Sequence, residues 1–272
     1  MECKILELQL NNQSSYEFRK LIEYFSRIDS QIQFEKNENN FVLLQSNNNC
    51  VTFQIWVSLC FFEKFYILKE KECFNTFTLS EVLKNVKKKK SFCLDVLLKE
   101  NKNIFKFECG NKKLTYTDII HSSIYFKNKI TCSHFNFFRI KLNIELIELL
   151  LLKIEHIFDY VDLRMNPKKK KISFVSINYF SEMHIDNENI EFYTVLDSDV
   201  DYCFRLSMDS LILLNELCKL SHQFYDKSDY ELFFQVKNNN VIEKMITNVY
   251  FTNMLSTIEI MNVWHEKIKK IS

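Results

Sequence analysis

The fold is decided by a strand-and-helix unit that the sequence contains twice. The first copy reads CKILELQLNNQSSYEFRKLIEYF (Cys3–Phe25), and the second reads FFRIKLNIELIELLLLKIEHIF (Phe137–Phe158). In the first copy, apolar residues alternate over Cys3–Leu10, as they do in a half-buried strand. Four apolar residues then recur at the spacing of one helix face: Phe18, Leu21, Ile22 and Phe25. Corresponding pieces lie roughly 130 residues apart, so the chain is predicted to run through one structural pattern twice.

Each half is predicted to read strand, helix, several strands, second helix and further strands, over Cys3–Ile119 and again over Phe137–Val263. Polar residues typical of helix starts mark the four helices: Ser14-x-x-Glu17, Thr78-x-x-Glu81, Asn143 and Ser207. A strand over Phe74–Thr78 is expected to precede the second helix. We predict an N-terminal domain over 1–119, a connector over 120–135, a C-terminal domain over 136–265 and a short basic tail over 266–272.

The second helix of the first half has its own apolar stripe, formed by Leu79, Val82, Leu83 and Val86. We expect this helix to end in Lys87–Lys90, where cations suit the negative end of the helix dipole. In the second half, the helix over Ile144–Phe158 is apolar around much of its circumference and should be well buried.

The composition excludes several classes of enzyme. Gly110 and Pro167 are the single glycine and the single proline. The sequence therefore lacks a glycine-rich phosphate loop, a dinucleotide fingerprint and a Gly-x-Ser-x-Gly nucleophile elbow. The 9 cysteines are scattered without a Cys-x-x-Cys pair, which indicates reduced thiols in an intracellular protein, cytosolic or nuclear. The most apolar stretch, Ile144–Ile154, is too short to cross a bilayer, so no membrane association is expected.

Clustered carboxylates offer the main alternative from another functional class. Asp197-x-Asp199-x-Asp201 resembles the start of a calcium loop, but Tyr202 stands where that loop needs glycine and Met208 where it needs glutamate. A solvated acidic turn is the favoured interpretation, and a metal-dependent exonuclease using these aspartates is the rival hypothesis. The 6 histidines lack zinc-site spacing. No catalytic residue, metal or cofactor is expected.

Basic residues gather on or beside the two helices of the first half, although the net charge is only +1. Any affinity for nucleic acid must therefore come from how charge is distributed. The residues are Arg19, Lys20, Arg27, Lys84 and Lys87–Lys90. If the two helices share a face, these cations form a strip able to follow phosphates. A solvated helix face enriched in lysine by AT-rich coding explains them equally well. The helices of the second half carry acidic residues alongside Lys153 and Lys219, which leaves their role in doubt.

The order of elements over Cys3–Val263 resembles that of the PCNA-like sliding clamps. Three stretches are most similar to the Rad-one-type subunits of the nine-one-one DNA-damage checkpoint clamp. They are IWVSLCFFEKF (Ile55–Phe65), LRMNPK with the strand after it (Leu163–Lys168 and Ile172–Ile177), and RIKLNIE (Arg139–Glu145). Hus-one-type subunits and replicative PCNA are the next most similar families. After the clamp subunit and the exonuclease, an unrelated α+β interaction module is the third functional hypothesis.

The resemblance implies an α+β chain of two similar clamp domains, each with two helices packed on a curved antiparallel sheet. It implies a non-catalytic subunit of a nuclear heterotrimeric ring that encircles double-stranded DNA. A clamp loader would open the ring, and checkpoint and repair proteins would bind it, with their groove beneath the connector at about His121–Phe135. Carried over to this chain, the DNA-facing candidates are Arg19, Lys20, Lys84, Lys87, Lys88, Lys153 and Lys219. Ring closure would pair exposed sheet edges between subunits, so an isolated chain should aggregate.

Overall fold

The structure is a computed structural model in two compact units. The described residues are 2–36, 41–47, 51–87, 90–119, 137–143, 160–166, 168–176, 182–185, 190–194, 202–207, 210, 212–213, 215–216, 229–237, 241–251 and 254–261. The first unit comprises Met1–Asn48, Phe53–Lys129 and Thr252–Leu255, and the second comprises Asn49–Thr52, Ile130–Phe251 and Ser256–Ser272. The main division falls inside 120–135, but that range lies outside the described residues, so the connector and the exact domain limits stay predictions.

The first half of the chain forms two helices and two arrays of strands within the described residues. The elements are β1 (Cys3–Leu10), α1 (Ser14–Ile28), β2 (Gln31–Lys36), β3 (Phe41–Asn47), β4 (Val51–Ser58), β5 (Lys64–Ile67), β6 (Lys71–Asn75), α2 (Thr76–Leu83), β7 (Phe92–Lys99), β8 (Lys102–Cys109) and β9 (Lys112–Ile119). The strands lie side by side in the orders β5-β1-β7-β8-β9 and β4-β3-β2-β6. Neighbours in the first order are antiparallel throughout.

The second half repeats this connectivity strand for strand. Its described strands are β10 (Phe137–Asn143), β11 (Tyr160–Asn166), β12 (Lys171–Ser176), β13 (Glu182–Ile185), β14 (Ile190–Thr194), β15 (Tyr202–Ser207), β16 (Asp229–Lys237), β17 (Val241–Phe251) and β18 (Met254–Met261). They follow the orders β14-β10-β16-β17-β18 and β13-β12-β11-β15, so each strand takes the place of its counterpart in the first half. The prediction of one pattern used twice is confirmed for the described strands. The helix predicted over Ile144–Phe158 lies outside the described residues.

The core of the first half forms where the apolar faces of the helices meet the strands. The α1 stripe is buried as predicted, with no member more than 2% exposed: Phe18, Leu21, Ile22 and Phe25. Phe25 packs on Phe53 of β4 at a ring-centroid distance of 4.5 Å, and Phe18 packs edge-on against Phe62 at 5.9 Å. Full burial of such a side chain stabilises the fold by about 1.5–3 kcal/mol. The predicted α2 stripe is also completely buried: Leu79, Val82, Leu83 and Val86.

Both helix starts in the first half differ from the sequence prediction. Ser14 is the first residue of α1, and the residue before it makes no capping bond through its side chain. The Asn11 Oδ1 instead accepts the N–H of Ser14 at 2.9 Å, so the predicted Ser14-x-x-Glu17 capping box is wrong. The cap of α2 lies three residues earlier than predicted, at Asn75, whose Oδ1 accepts the N–H of Thr78 at 2.9 Å. The strand predicted over Phe74–Thr78 accordingly stops at Asn75.

Of the remaining local predictions, the end of α2 is wrong and the cap at Ser207 is confirmed. α2 ends at Leu83, so Lys87–Lys90 lies beyond the helix and does not form its last turn. After β15, the Ser207 Oγ accepts the N–H of Ser210 at 3.2 Å, as expected of a helix cap. Helical residues follow it in the described part of the chain: Ser210, Ile212, Leu213, Asn215 and Glu216.

Candidate nucleic-acid interface

The polar face of α1 carries two of the predicted DNA-facing residues. Arg19 and Lys20 lie off the buried stripe, one turn after Tyr16 and one turn before Glu23. Residues three and four apart on a helix are neighbours, so these four side chains form one surface cluster. The Arg19 and Lys20 side chains are 22% and 25% exposed, which leaves both within reach of a ligand in solvent.

Glu23 forms an ion pair with both cations. Its Oε1 accepts the Arg19 Nε–H at 2.7 Å, and its Oε2 accepts a proton of the Lys20 ammonium at 2.8 Å. Burial alone would raise the pKa of Glu23, but the hydrogen bonds from Lys20 and Arg19 hold that pKa below its ordinary value. The carboxylate is therefore charged at neutral pH and offsets part of the positive charge on this face.

Tyr16 supports the same two cations from the preceding turn. The Arg19 guanidinium carbon lies 6.0 Å from the centroid of the Tyr16 ring, and the Lys20 ammonium lies 5.7 Å from it. Such cation–π contacts contribute about 0.5–1 kcal/mol each at exposed sites. The aromatic ring therefore restricts where Arg19 and Lys20 can point.

The segment after α2 runs alongside α1 in the opposite direction. Arg19 donates from Nη1 to the carbonyl oxygen of Val86 at 2.8 Å, and the Ser15 hydroxyl donates to the carbonyl oxygen of Lys90 at 2.5 Å. These two bonds fix Lys87 and Lys90, both exposed, next to the polar face of α1. We name the four cations Arg19, Lys20, Lys87 and Lys90 the helix strip.

The other predicted site residues are placed differently. Lys84, directly after α2, is exposed and forms an ion pair with Glu81. Three candidates lie outside the described residues: Lys88, Lys153 and Lys219. Tyr16 and Glu23 also belong to the surface cluster on α1, and their spacing of three and four residues from Arg19 and Lys20 is the signal in the sequence that indicates it.

The outward face of β1, β5, β7, β8 and β9 carries charges of both signs. Four of its lysines pair with carboxylates: Lys4 with Asp95 at 3.0 Å, Lys64 with Glu7 at 2.6 Å, Lys106 with Glu2 at 3.6 Å and Lys113 with Glu108 at 2.9 Å. By contrast, no ion pair joins Lys87 or Lys90 to another residue that the structure describes. Lys87 and Lys90 therefore carry positive charge that no carboxylate among the described residues offsets.

The three aspartates of the rival carboxylate site lie outside the described residues: Asp197, Asp199 and Asp201. Among the residues that the structure describes, no three His, Cys, Asp or Glu side chains are grouped so that they could hold a metal ion. None of the described helices combines the length and the apolar character needed to cross a membrane.

Comparison with solved structures reveals the same arrangement of elements elsewhere. Proliferating cellular nuclear antigen from Entamoeba histolytica superposes with a TM-score of 0.67 at 12% identity, over 95% of this chain and 99% of that one. The fold is that of the PCNA-like clamps. PCNA from Thermococcus kodakaraensis also matches, with a TM-score of 0.67 and 12% identity over 94% of this chain and 99% of the archaeal one.

The predicted α+β clamp fold is thus confirmed across nearly the whole chain. In sequence, the chain matches no protein-family model and no curated protein. At this identity the structural likeness establishes the clamp fold alone, and assignment to a checkpoint clamp stays a prediction.

Proposed function

We propose that this chain is a non-catalytic subunit of a DNA sliding clamp and that its helix strip contacts the phosphates of double-stranded DNA. The observation that carries the proposal is the combination of the clamp fold with a strip of cations on the helix face of the first half. Phosphate contacts give affinity without base readout, as sliding requires.

The distribution of charge supports the proposal that the helix strip, and not the sheet surface, contacts DNA. Lys87 and Lys90 are exposed, and Arg19 and Lys20 keep N–H groups that Glu23 and Val86 do not occupy. Four lysines of the sheet surface are paired with carboxylates, whereas Lys87 and Lys90 are not, so a polyanion gains more by approaching the helix strip.

Sheet edges offer a route to ring closure. β9 ends the order β5-β1-β7-β8-β9, and β13 ends the order β13-β12-β11-β15, so each is an edge among the described strands. Beside β9, Phe77 is 57% exposed on α2, and its neighbour Thr78 donates its hydroxyl proton to Asp118 of β9 at 3.0 Å. Edge pairing of β9 with β13 of a second chain is head-to-tail, and such contacts close into rings.

We propose further that the ring is a nuclear heterotrimer of the checkpoint type, with two other clamp subunits, a loader, and checkpoint and repair proteins as partners. The support for this finer statement is the sequence resemblance over Ile55–Phe65 and Leu163–Lys168. Ile55 and Leu163 are buried, so part of this likeness lies in core positions.

The test is purification of the tagged full-length chain from its own cells, followed by native mass spectrometry. Two other clamp-like chains at equal stoichiometry would support the heterotrimer, whereas three copies of this chain would overturn it and keep the clamp. A well-behaved monomer that never joins a ring would overturn the clamp itself. Magnesium-dependent DNA digestion that disappears when Asp197, Asp199 and Asp201 become asparagine would favour the exonuclease instead.

A further inference from the structure

Glu23 occupies two N–H donors of α1 that a DNA phosphate could also use. Its two carboxylate oxygens contact one N–H group of Arg19 and one of Lys20, at 2.7 Å and 2.8 Å. A phosphate group presents oxygens of the same charge and similar spacing to the same donors. Carboxylate and phosphate therefore compete for one pair of cations.

The competition is intramolecular and partly shielded from solvent. The Glu23 side chain is 21% exposed, comparable with its two partners, so salt screens this pair less than it screens fully exposed pairs. Arg19 is also held from its other side by the Val86 carbonyl oxygen, and Lys20 by the Tyr16 ring. The cations thus stay in place whether or not DNA is present, and the exchange of anion partners requires little rearrangement.

We propose that Glu23 is an internal competitor for phosphate, which weakens the grip of Arg19 and Lys20 on the DNA backbone and so favours movement along it. This inference rests on the proposed function, because it names how the affinity of the same strip is set. A strip with four uncompensated cations would bind more tightly and release each phosphate more slowly. Glu23 reduces the effective charge while keeping the cations oriented.

The decisive variant is Glu23→Gln, which keeps the shape of the side chain and removes its charge. The matched control is Glu108→Gln on β8, which changes net charge equally and also releases one lysine, Lys113, from an ion pair. Both variants would be titrated against a fluorescein-labelled blunt duplex by anisotropy over a range of salt concentrations, using the full-length chain together with the subunits that co-purify with it. Circular dichroism verifies that each variant is folded.

We expect Glu23→Gln to bind the duplex more tightly and to steepen the salt dependence by about 0.9 in log–log slope, equivalent to one more phosphate contact. Its advantage should then shrink about threefold between about 50 and about 200 mM salt. Glu108→Gln should change neither quantity. Equal effects of the two variants, or an unchanged slope for Glu23→Gln, would overturn the inference.

A variant without Arg19 and Lys20 distinguishes failure of this inference from failure of the proposed function. In a chain that already carries Arg19→Gln and Lys20→Gln, the change Glu23→Gln should have no further effect, because its partners are gone. If that double background binds DNA as tightly as the natural chain, the helix strip is not the interface and the proposed function fails. If it binds more weakly while Glu23→Gln alone does not tighten binding, only the role of Glu23 is wrong.

Discussion

Replacing Lys20 and Lys87 by glutamine removes cations from both segments of the helix strip while keeping side chains of similar reach. Lys20 comes from α1, and Lys87 comes from the segment that Arg19 and Ser15 tether to α1. If DNA runs along the strip, the double variant loses contacts to two neighbouring stretches of backbone. The expected result is weaker binding that is also less sensitive to salt.

The structure sets the size of the effect. Lys87 is exposed and forms no ion pair with another described residue, so it should contribute one full phosphate contact. Such a contact is worth about 0.9 in the slope of log affinity against log salt concentration. Lys20 shares Glu23 with Arg19 and should contribute less. The combined slope should therefore fall by about 0.9 to 1.8. Loss of the pair between Lys20 and Glu23 costs the helix only about 0.2–0.5 kcal/mol, so the fold should persist.

The assay is duplex binding by fluorescence anisotropy across a salt series, with Lys106→Gln plus Lys113→Gln as the control. These lysines lie on β8 and β9, are exposed, and change the net charge by the same amount. Long-range attraction alone would lower the slope equally in both double variants. That outcome would refute the placement of DNA on the helix strip, as would an unchanged slope for Lys20→Gln plus Lys87→Gln.

Three further predictions concern stability, each measured by urea denaturation. Burial raises the pKa of Glu72, whose Oε1 lies 3.9 Å from the Lys69 ammonium. The folded state therefore binds the carboxyl proton more tightly than the unfolded state does. The free energy of unfolding should fall as the pH rises past the ordinary carboxyl range. Glu72→Gln should remove this dependence above the ordinary carboxyl range and raise the stability there; a pH profile identical to that of the natural chain would contradict the assignment. Asn75→Ala removes the cap of α2 and should lower the stability by about 1 kcal/mol. Gln13 holds the equivalent position before α1 but makes no capping hydrogen bond through its side chain, so Gln13→Ala should lower the stability little. Gly110→Ala should cost about 1 kcal/mol because its φ of +59° is unfavourable for alanine, although nothing crowds the added methyl group, and Gly110→Asn should cost less.

Much of the clamp fold could be read from the sequence because periodicity reports burial directly. The stripe from Phe18 to Phe25 and the strand at Cys3–Leu10 lie where the pattern places them. Helix starts were less predictable, because several polar residues in a row compete for the same N–H groups. Asn11 and Asn75 win that competition over Ser14 and Thr78, and the sequence offers no ranking between them.

The cations of the candidate site could be predicted from the sequence, but the contacts that hold them together could not. Arg19, Lys20 and Lys87 could be named from their places on and after the helices. The tether between Arg19 and the Val86 carbonyl joins residues 67 positions apart, and no local pattern reports such a bond. The short β5 strand has no clear sequence pattern for a related reason: its exposed Tyr66 and Lys64 interrupt the apolar signal, and pairing with β1 defines it.

The repeated connectivity also has a consequence for the origin of the chain. Each half begins and ends in the same five-stranded array, with β1 and β9 separated by two strands, β7 and β8. At a strand spacing of about 4.8 Å, the first and last strands lie roughly 14 Å apart. A gene that encoded one half could therefore be copied in tandem and joined by a modest linker without rethreading either copy. After such a fusion, each copy is free to mutate separately, so a lysine-bearing helix face could evolve in one half while the other specialised in a different task.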